Sequence, residues 1–224
     1  MTRQVAVLRP EPGNAATIAR VTAAGLEAIS LPLFAVHALD WAAPDPAAHD
    51  ALLLTSANAI RLGGQALAAL RSLPVFAVGD KTAAAARLAG FDVMATGDSN
   101  AIAILSIARS QGYHRVLHIG ARERSFAVAD PVTAAIAVYA SDALPVGQGA
   151  LGQLAGTVAL LHSARAARHF GALVDAAGIA RGTIAVSAIS QAVAASAGLG
   201  WAGLAVAASP DDEALIAAAR SLTD

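Results

Sequence analysis

Ala51-Leu52-Leu53-Leu54-Thr55-Ser56-Ala57-Asn58 opens the stretch that decides the fold, and Val75-Phe76-Ala77-Val78-Gly79-Asp80-Lys81-Thr82 continues it to Gly90. Each half is a short apolar run broken by a small polar turn and followed by a helical pattern. Runs of four apolar residues bounded by turn residues fit buried parallel strands, and a hydroxyl just past such a run is placed to cap the next helix. Ile60, Leu62, Leu67 and Leu70 supply a buried stripe for one helix running on from Ala59.

The same order recurs about half the chain later. Val158-Ala159-Leu160-Leu161 precedes His162-Ser163-Ala164-Arg165, and Thr183-Ile184-Ala185-Val186 precedes Ser187-Ala188-Ile189-Ser190 and a helix ending at Gly198. Ser56 pairs with Ser163, Thr82 with Ser190 and Gly90 with Gly198. A single repeat of this length indicates two similar domains, because solenoid periods are about 20–50 residues.

Working outward, Gln4 to Leu8 reads as a strand, Arg9 to Gly13 as its loop, Asn14 as an N-cap, Ala15 to Ala24 as a helix, and Gly25 as its left-handed stop. Leu26 to Leu31 is a second strand. This N-terminal unit is too small for a sheet of its own. The last part of the chain has strand candidates near 158, 184 and 204, then a helix start at Ser209-Pro210-Asp211-Asp212-Glu213 with Ser209 as the cap. Joining the two ends predicts residues 1–35 plus 146–224 as one discontinuous domain and 39–138 as the other. The linkers fall at about 36–38 and 139–145. Each domain is then a parallel sheet of about five strands flanked by helices.

Between these parts, Asp45 to His49 can open a short helix, Phe91 to Met94 forms a strand, and Ser99 caps a helix from Asn100 to Arg109. Arg115 to Ile119 forms a strand with Gly120 to Arg124 as its loop, resembling Val5 to Gly13. The segment from Arg122 to Tyr139 is shorter than its counterpart. A βαβ crossover needs a dozen or more residues, so a short helix or loop is expected there, followed by a strand over Ala135 to Tyr139.

Composition excludes several classes. There is no cysteine, hence no disulfide framework and no thiolate nucleophile or ligand. The chain is 56% hydrophobic, yet no apolar run nears the roughly 20 residues that span a bilayer. The N-terminus does not read as a signal peptide, so a cytoplasmic location is expected. With 15 basic and 16 acidic residues and no Lys/Arg block, no nucleic-acid stripe is visible. His114 and His118 are not placed as metal ligands, Gly-x-Ser-x-Gly is absent, and no metal site is expected.

Open parallel sheets bind ligands beyond the carboxyl ends of their strands, where helix N-termini offer N–H groups to anions. The residues there are Arg9, Thr55, Ser56, Lys81, Thr82, Gly120, Arg122, Ser163, Ser187, Ser190 and Gln191, and these are the expected binding residues for a carboxylate- or phosphate-bearing ligand held across two facing domains. Ser56 and Thr82 are expected as helix caps. Lys81 is the only lysine, and Ile189 stands at its place in the second copy.

In order, Val-Leu-Arg-Pro at 7–10, Leu-Thr-Ser-Ala-Asn-Ala at 54–59, Val-Gly-Asp-Lys-Thr-Ala at 78–83, Leu-Ala-Gly-Phe at 88–91, Val-Tyr at 138–139, Leu-His-Ser-Ala-Arg at 161–165 and Ser-Ala-Ile-Ser-Gln-Ala-Val-Ala at 187–194 resemble the uroporphyrinogen-III synthase family. The resemblance implies two α/β domains joined by a two-stranded linker. It implies a lyase that needs no cofactor and closes the linear tetrapyrrole hydroxymethylbilane to uroporphyrinogen III. The last ring inverts and water is lost, through a spiro intermediate, in haem biosynthesis. It places the family's proposed proton donor at Tyr139. The expected protein is a monomer whose substrate comes from the preceding enzyme, with no nucleic-acid or membrane partner. The short 122–139 segment motivates a competing expectation, a non-catalytic two-domain protein that binds tetrapyrroles or other polycarboxylates.

Overall fold

Val5–Val7 (β1) lies between two other parallel strands, Ala28–Ser30 (β2) on one side and Val158–Leu161 (β9) on the other. The N-terminal unit thus completes a sheet begun by the C-terminal third of the chain. The computed structural model describes residues 3–97, 101–123 and 130–223. They fall into two units, Met1–Ala35 with Asp142–Asp224, and Val36–Ser141.

The first unit holds β1, helix α1 (Gly13–Ala23), β2, and after the second unit α5 (Gln148–Gly152), β9, α6 (Ala164–Ala176), β10 (Ala185–Ala188), α7 (Gln191–Ala197), β11 (Gly203–Val206) and α8 (Asp212–Arg220). Its five strands lie in the order β11-β10-β9-β1-β2. The second unit holds β4 (Ala51–Leu54), α2 (Ala57–Leu62), β5 (Val75–Val78), α3 (Asp80–Leu88), β6 (Val93–Gly97), α4 (Ala101–Ser110) and β7 (Val116–Ala121). Two strands pass between the units, β3 (Phe34–Ala38) and β8 (Val132–Ala143). The second sheet has six strands in the order β3-β8-β7-β4-β5-β6. The sixth is β3. Its end bonds are Leu39 N–H to the Val138 carbonyl and Leu144 N–H to the Leu33 carbonyl. As one partner advances the other retreats, so β3 and β8 run antiparallel.

Counted from β4, the second sheet orders its parallel strands third-second-first-fourth-fifth from the far edge. Counted from β9, the first sheet has the same order, with β1 and β2 in the fourth and fifth places. The sequence repeat therefore marks equivalent sheet positions, and the chain's N-terminus fills the places that β7 and β8 fill in the other unit. In each sheet the winding reverses between first and fourth strands, β9 and β1 or β4 and β7. Such reversal points are where open α/β sheets bind ligands.

Alternation of strand side chains divides each core in two. In the first unit Ala6, Leu8, Ala159, Leu161 and Val186 pack against Phe170, Val174 and Val193, while Val5, Val7, Val158 and Leu160 pack against Val21, Leu215 and Ile216. In the second, Leu52, Leu54, Leu117 and Ile119 meet Ala59, Ala83 and Ala86, and Leu53, Phe76 and Val116 meet Ile104 and Ala108. Small alanines on the helices let these short helices lie close to the sheets.

Several local expectations are corrected. The helix expected from Ala59 through Leu70 is two pieces, α2 and a 3-10 segment at Gln65–Leu70. Gly64 between them has φ +62, a left-handed value that breaks a helix and that glycine adopts without a Cβ clash. Asn14 is not a cap. It lies in the first turn of α1, fully buried, donating to the carbonyls of Val7 and Arg9 and accepting from Ser30 Oγ. The cap of α8 is Asp211, whose carboxylate accepts from Ala214 N–H at 2.8 Å, while Ser209 donates to Asp211. The 3-10 turn at Pro46–Ala48 forms as expected, with Asp45 accepting from Ala47 N–H. Strand β8 starts at Val132 rather than Ala135, and the segment expected as helix or loop lies partly outside the described residues at 124–129. The expected cap at Ser99 and helix start at Asn100 also lie outside them.

Candidate functional site

In the first unit the reversal point carries a closed charge cluster. Arg9 follows β1, His162 is the residue after β9, Thr17 and Arg20 stand on α1, and Asp212 is the first residue of α8. Arg9 Nη1 donates to both Asp212 oxygens, at 3.0 and 3.3 Å, and to Thr17 Oγ1 at 3.3 Å. Thr17 donates to Asp212 Oδ2 at 2.8 Å and Arg20 Nη1 donates to the same oxygen at 3.0 Å. His162 Nε2 lies 3.2 Å from Oδ1. The carboxylate is largely buried, 13% exposed. The hydrogen bond from His162 chiefly, then Thr17 and the charge of Arg9, hold Asp212 well below the usual carboxylate range against the opposing effect of burial. Arg9, Thr17, Arg20 and His162 together satisfy the requirement that a buried charge be paired and hydrogen-bonded. Arg9, expected as a ligand contact, is thus first an internal partner of Asp212.

The other candidates of this unit divide. Ser163 caps α6, accepting from Ala166 N–H at 3.1 Å, and Ser190 caps α7, accepting from Val193 N–H at 3.4 Å. Gln191 is the exposed first residue of α7. These sit with Arg9 at the carboxyl edge of the sheet. Ser187 does not join them. It lies within β10, which ends two residues later than the sequence pattern suggests, is fully buried, and donates to the Leu215 carbonyl at 2.9 Å. Its hydroxyl ties the sheet to α8 and is not available to a ligand.

In the second unit Thr55 follows β4 and its Oγ1 lies 3.2 Å from Nε2 of His118, which is 1% exposed in β7. Ser56 caps α2, accepting from Asn58 N–H at 3.2 Å. Thr82 is not a cap: Gly79 holds that position with φ +82, and Thr82 is buried in the first turn of α3. The helix already begins at Asp80, so the hydroxyl is carried inward. Lys81, beside it, is exposed. Gly120 is not in a loop but in β7, and its hydrogens face the His118 ring: a Cβ there would stand 2.5 Å from His118 Cε1 and Nε2. Arg122 donates its backbone N–H to the Tyr139 carbonyl at 2.8 Å and its Nε to Glu123 at 2.8 Å. Tyr139 lies in β8 with its ring in the core cluster of Leu54, Leu117 and Ile119, 8% exposed. Thr55, Lys81 and Arg122 share the carboxyl edge of this sheet.

Sequence reasoning missed His118, His162, Thr17 and Asp212. His162 carries a weak signal, next to a strand's carboxyl end, whereas His118 lies within β7. Asp212 carries none, because its partners are remote in sequence. Among the described residues no group of three or more metal-binding side chains occurs, and no helix is long and apolar enough to cross a membrane.

The fold and this edge geometry can be set beside known proteins. The family model described as uroporphyrinogen-III synthase HemD matches residues 15–217. The solved uroporphyrinogen-III synthetase of Helicobacter pylori 26695 is similar at a TM-score of 0.68 and 17% identity, covering 98% of this chain and 99% of that one. A mutant uroporphyrinogen III synthase of the extreme thermophile Thermus thermophilus is similar at a TM-score of 0.56 and 13% identity, covering 98% of this chain and 97% of that one. At these identities the structures speak for the fold. Among curated proteins no sequence matches. The family match spans most of the chain and strands of both its sheets, and the chain belongs to the uroporphyrinogen-III synthase family.

Proposed function

We propose that this chain closes hydroxymethylbilane to uroporphyrinogen III, acting as a cyclising lyase of haem biosynthesis. The observation that carries the reading is the family match over residues 15–217. The chemistry asks for three things. Loss of the terminal hydroxyl needs a proton donor, a role worth about 10²–10⁴-fold, and Tyr139 is our candidate. Ring inversion needs the reactive end held so that the spiro route outruns direct head-to-tail closure, which is orientation work. The substrate's eight carboxylates need cations, hydroxyls and helix N-termini. Thr55, Ser56, Lys81 and Arg122 in the second unit, and Arg9, Ser163, Ser190 and Gln191 in the first, are our candidates for that binding. We further read the protein as a cytoplasmic monomer that receives its substrate from the preceding enzyme, without a cofactor.

Purified protein supplied with enzymatically generated hydroxymethylbilane should yield the type III isomer. Formation of the type I isomer alone, as happens without enzyme, would overturn the reading, and binding of product without any change in isomer ratio would make the protein a non-catalytic binder.

A further inference from the structure

By its sequence pattern His118 is a lone histidine in a strand, yet it is the buried polar group at the reversal point of the second sheet. Residues two apart on a strand share a face, so His118 and Gly120 lie on the α4 side with Leu53, the partner of His118, and Thr55 follows Leu53 by two residues just past the end of β4. The ring leans along β7 over Gly120 and meets Thr55 Oγ1 at 3.2 Å. Only a residue without a Cβ leaves that path open.

The equivalent place in the first unit shows what this sheet position holds. Leu160 pairs with Val7 in the first unit as Leu53 pairs with His118 in the second. Two residues on, Thr55 and Gly120 correspond to His162 and Arg9. That pair is bridged by a carboxylate, Asp212. The first unit supplies the acid from its own chain.

We propose that His118 is a positioning residue that donates Nε2–H to Thr55 and thereby turns the Thr55 hydroxyl proton outward, to a carboxylate of the substrate. A carboxylate only accepts hydrogen bonds, and a threonine hydroxyl has one proton to give. If Thr55 spent that proton on the imidazole, it would present lone pairs to the anion. With Nε2–H as donor, Thr55 accepts from the ring and donates to the ligand. Gly120 acts through the same contact, as clearance for the ring rather than as a ligand contact. The inference rests on the synthase reading for the identity of the polycarboxylate.

The test measures binding and turnover separately in the full-length protein, using uroporphyrin III, an octacarboxylate, as the binding probe and hydroxymethylbilane as substrate. His118→Leu, Gly120→Ala and Thr55→Val should each weaken binding about tenfold, the loss of one hydrogen bond to a charged group, with the loss falling on KM more than on kcat. His118→Gln keeps an amide N–H within reach and should restore most of the loss. Thr55→Val combined with His118→Leu should be no worse than either alone, since both remove one interaction. Additive losses, or a His118→Gln as weak as His118→Leu with melting unchanged, overturn the proposal. Should His118→Leu fail to fold, Gly120→Ala takes its place in the comparison with Thr55→Val, since it removes the same contact. A wild type that binds uroporphyrin III but yields only the type I isomer sinks the synthase reading and leaves the binding test standing, whereas a wild type that binds no octacarboxylate overturns the inference.

Discussion

Asp212 lies 203 residues beyond Arg9, yet its carboxylate accepts from the Arg9 guanidinium at 3.0 Å. The pair locks the last helix onto the first loop, with Thr17, Arg20 and His162 completing the shell. Removing one member of a buried pair leaves the others uncompensated, typically at about 3–5 kcal/mol. Here Arg9 and Arg20 are partly exposed, so water takes over some of the charge. Asp212→Asn should therefore cost about 2 kcal/mol, below the fully buried range. Urea unfolding of the two proteins measures it, and an unchanged midpoint would show that the cluster adds nothing.

The same carboxylate predicts a sign for acid sensitivity. Its folded pKa is depressed, so the unfolded chain takes up the proton first, near the ordinary value of about 3.9. The stabilisation is fully present above that value and is lost as pH falls toward the depressed one. Between about pH 5 and 3 the wild type should lose stability faster than Asp212→Asn, and the two curves should draw together. Parallel curves over that range would contradict the assignment.

Ser187 and Lys81 look alike in the sequence and should behave oppositely. Ser187→Ala removes a buried hydrogen bond that the Leu215 carbonyl accepts in addition to its place in α8, at a cost of about 1 kcal/mol, with KM for hydroxymethylbilane unchanged. Lys81→Ala, at an exposed position, should leave stability within about 0.5 kcal/mol. It should raise KM severalfold at low salt, with the difference shrinking as salt screens the charge. A KM insensitive to Lys81 would remove it from the site.

Tyr139→Phe separates proton donation from packing. The ring sits in the core of the second unit, and phenylalanine fills almost the same volume, so melting should hardly change. If the phenol supplies the proton, turnover falls about 100-fold or more while substrate affinity holds. A rate equal to wild type would leave Tyr139 as a packing residue.

Much of this architecture is visible in the chain itself. Runs such as Leu52-Leu53-Leu54 and Ala159-Leu160-Leu161 carry no alternation because both faces are covered, which is the signature of a parallel sheet. The recurrence of Ser56 at Ser163 and Gly90 at Gly198 locates equivalent elements. The caps at Ser56, Ser163 and Ser190 are local, since a hydroxyl bonds an N–H two or three residues on. Where strand ends move by a residue or two, such local rules slip. Ser187 enters the strand, Thr82 yields the cap to Gly79, and Asp211 replaces Ser209.

What the chain by itself determines is therefore the kind and order of its elements, because periodicity and capping act over a few residues. Which side chains meet is decided only by the tertiary structure. Asp212 finds Arg9 and His162 because β1 lies beside β9, and His118 finds Thr55 because β7 lies beside β4. Both pairings depend on sheet register, which no local pattern encodes: hydrogen bonds between strands are interchangeable until the cores on both faces select one alignment.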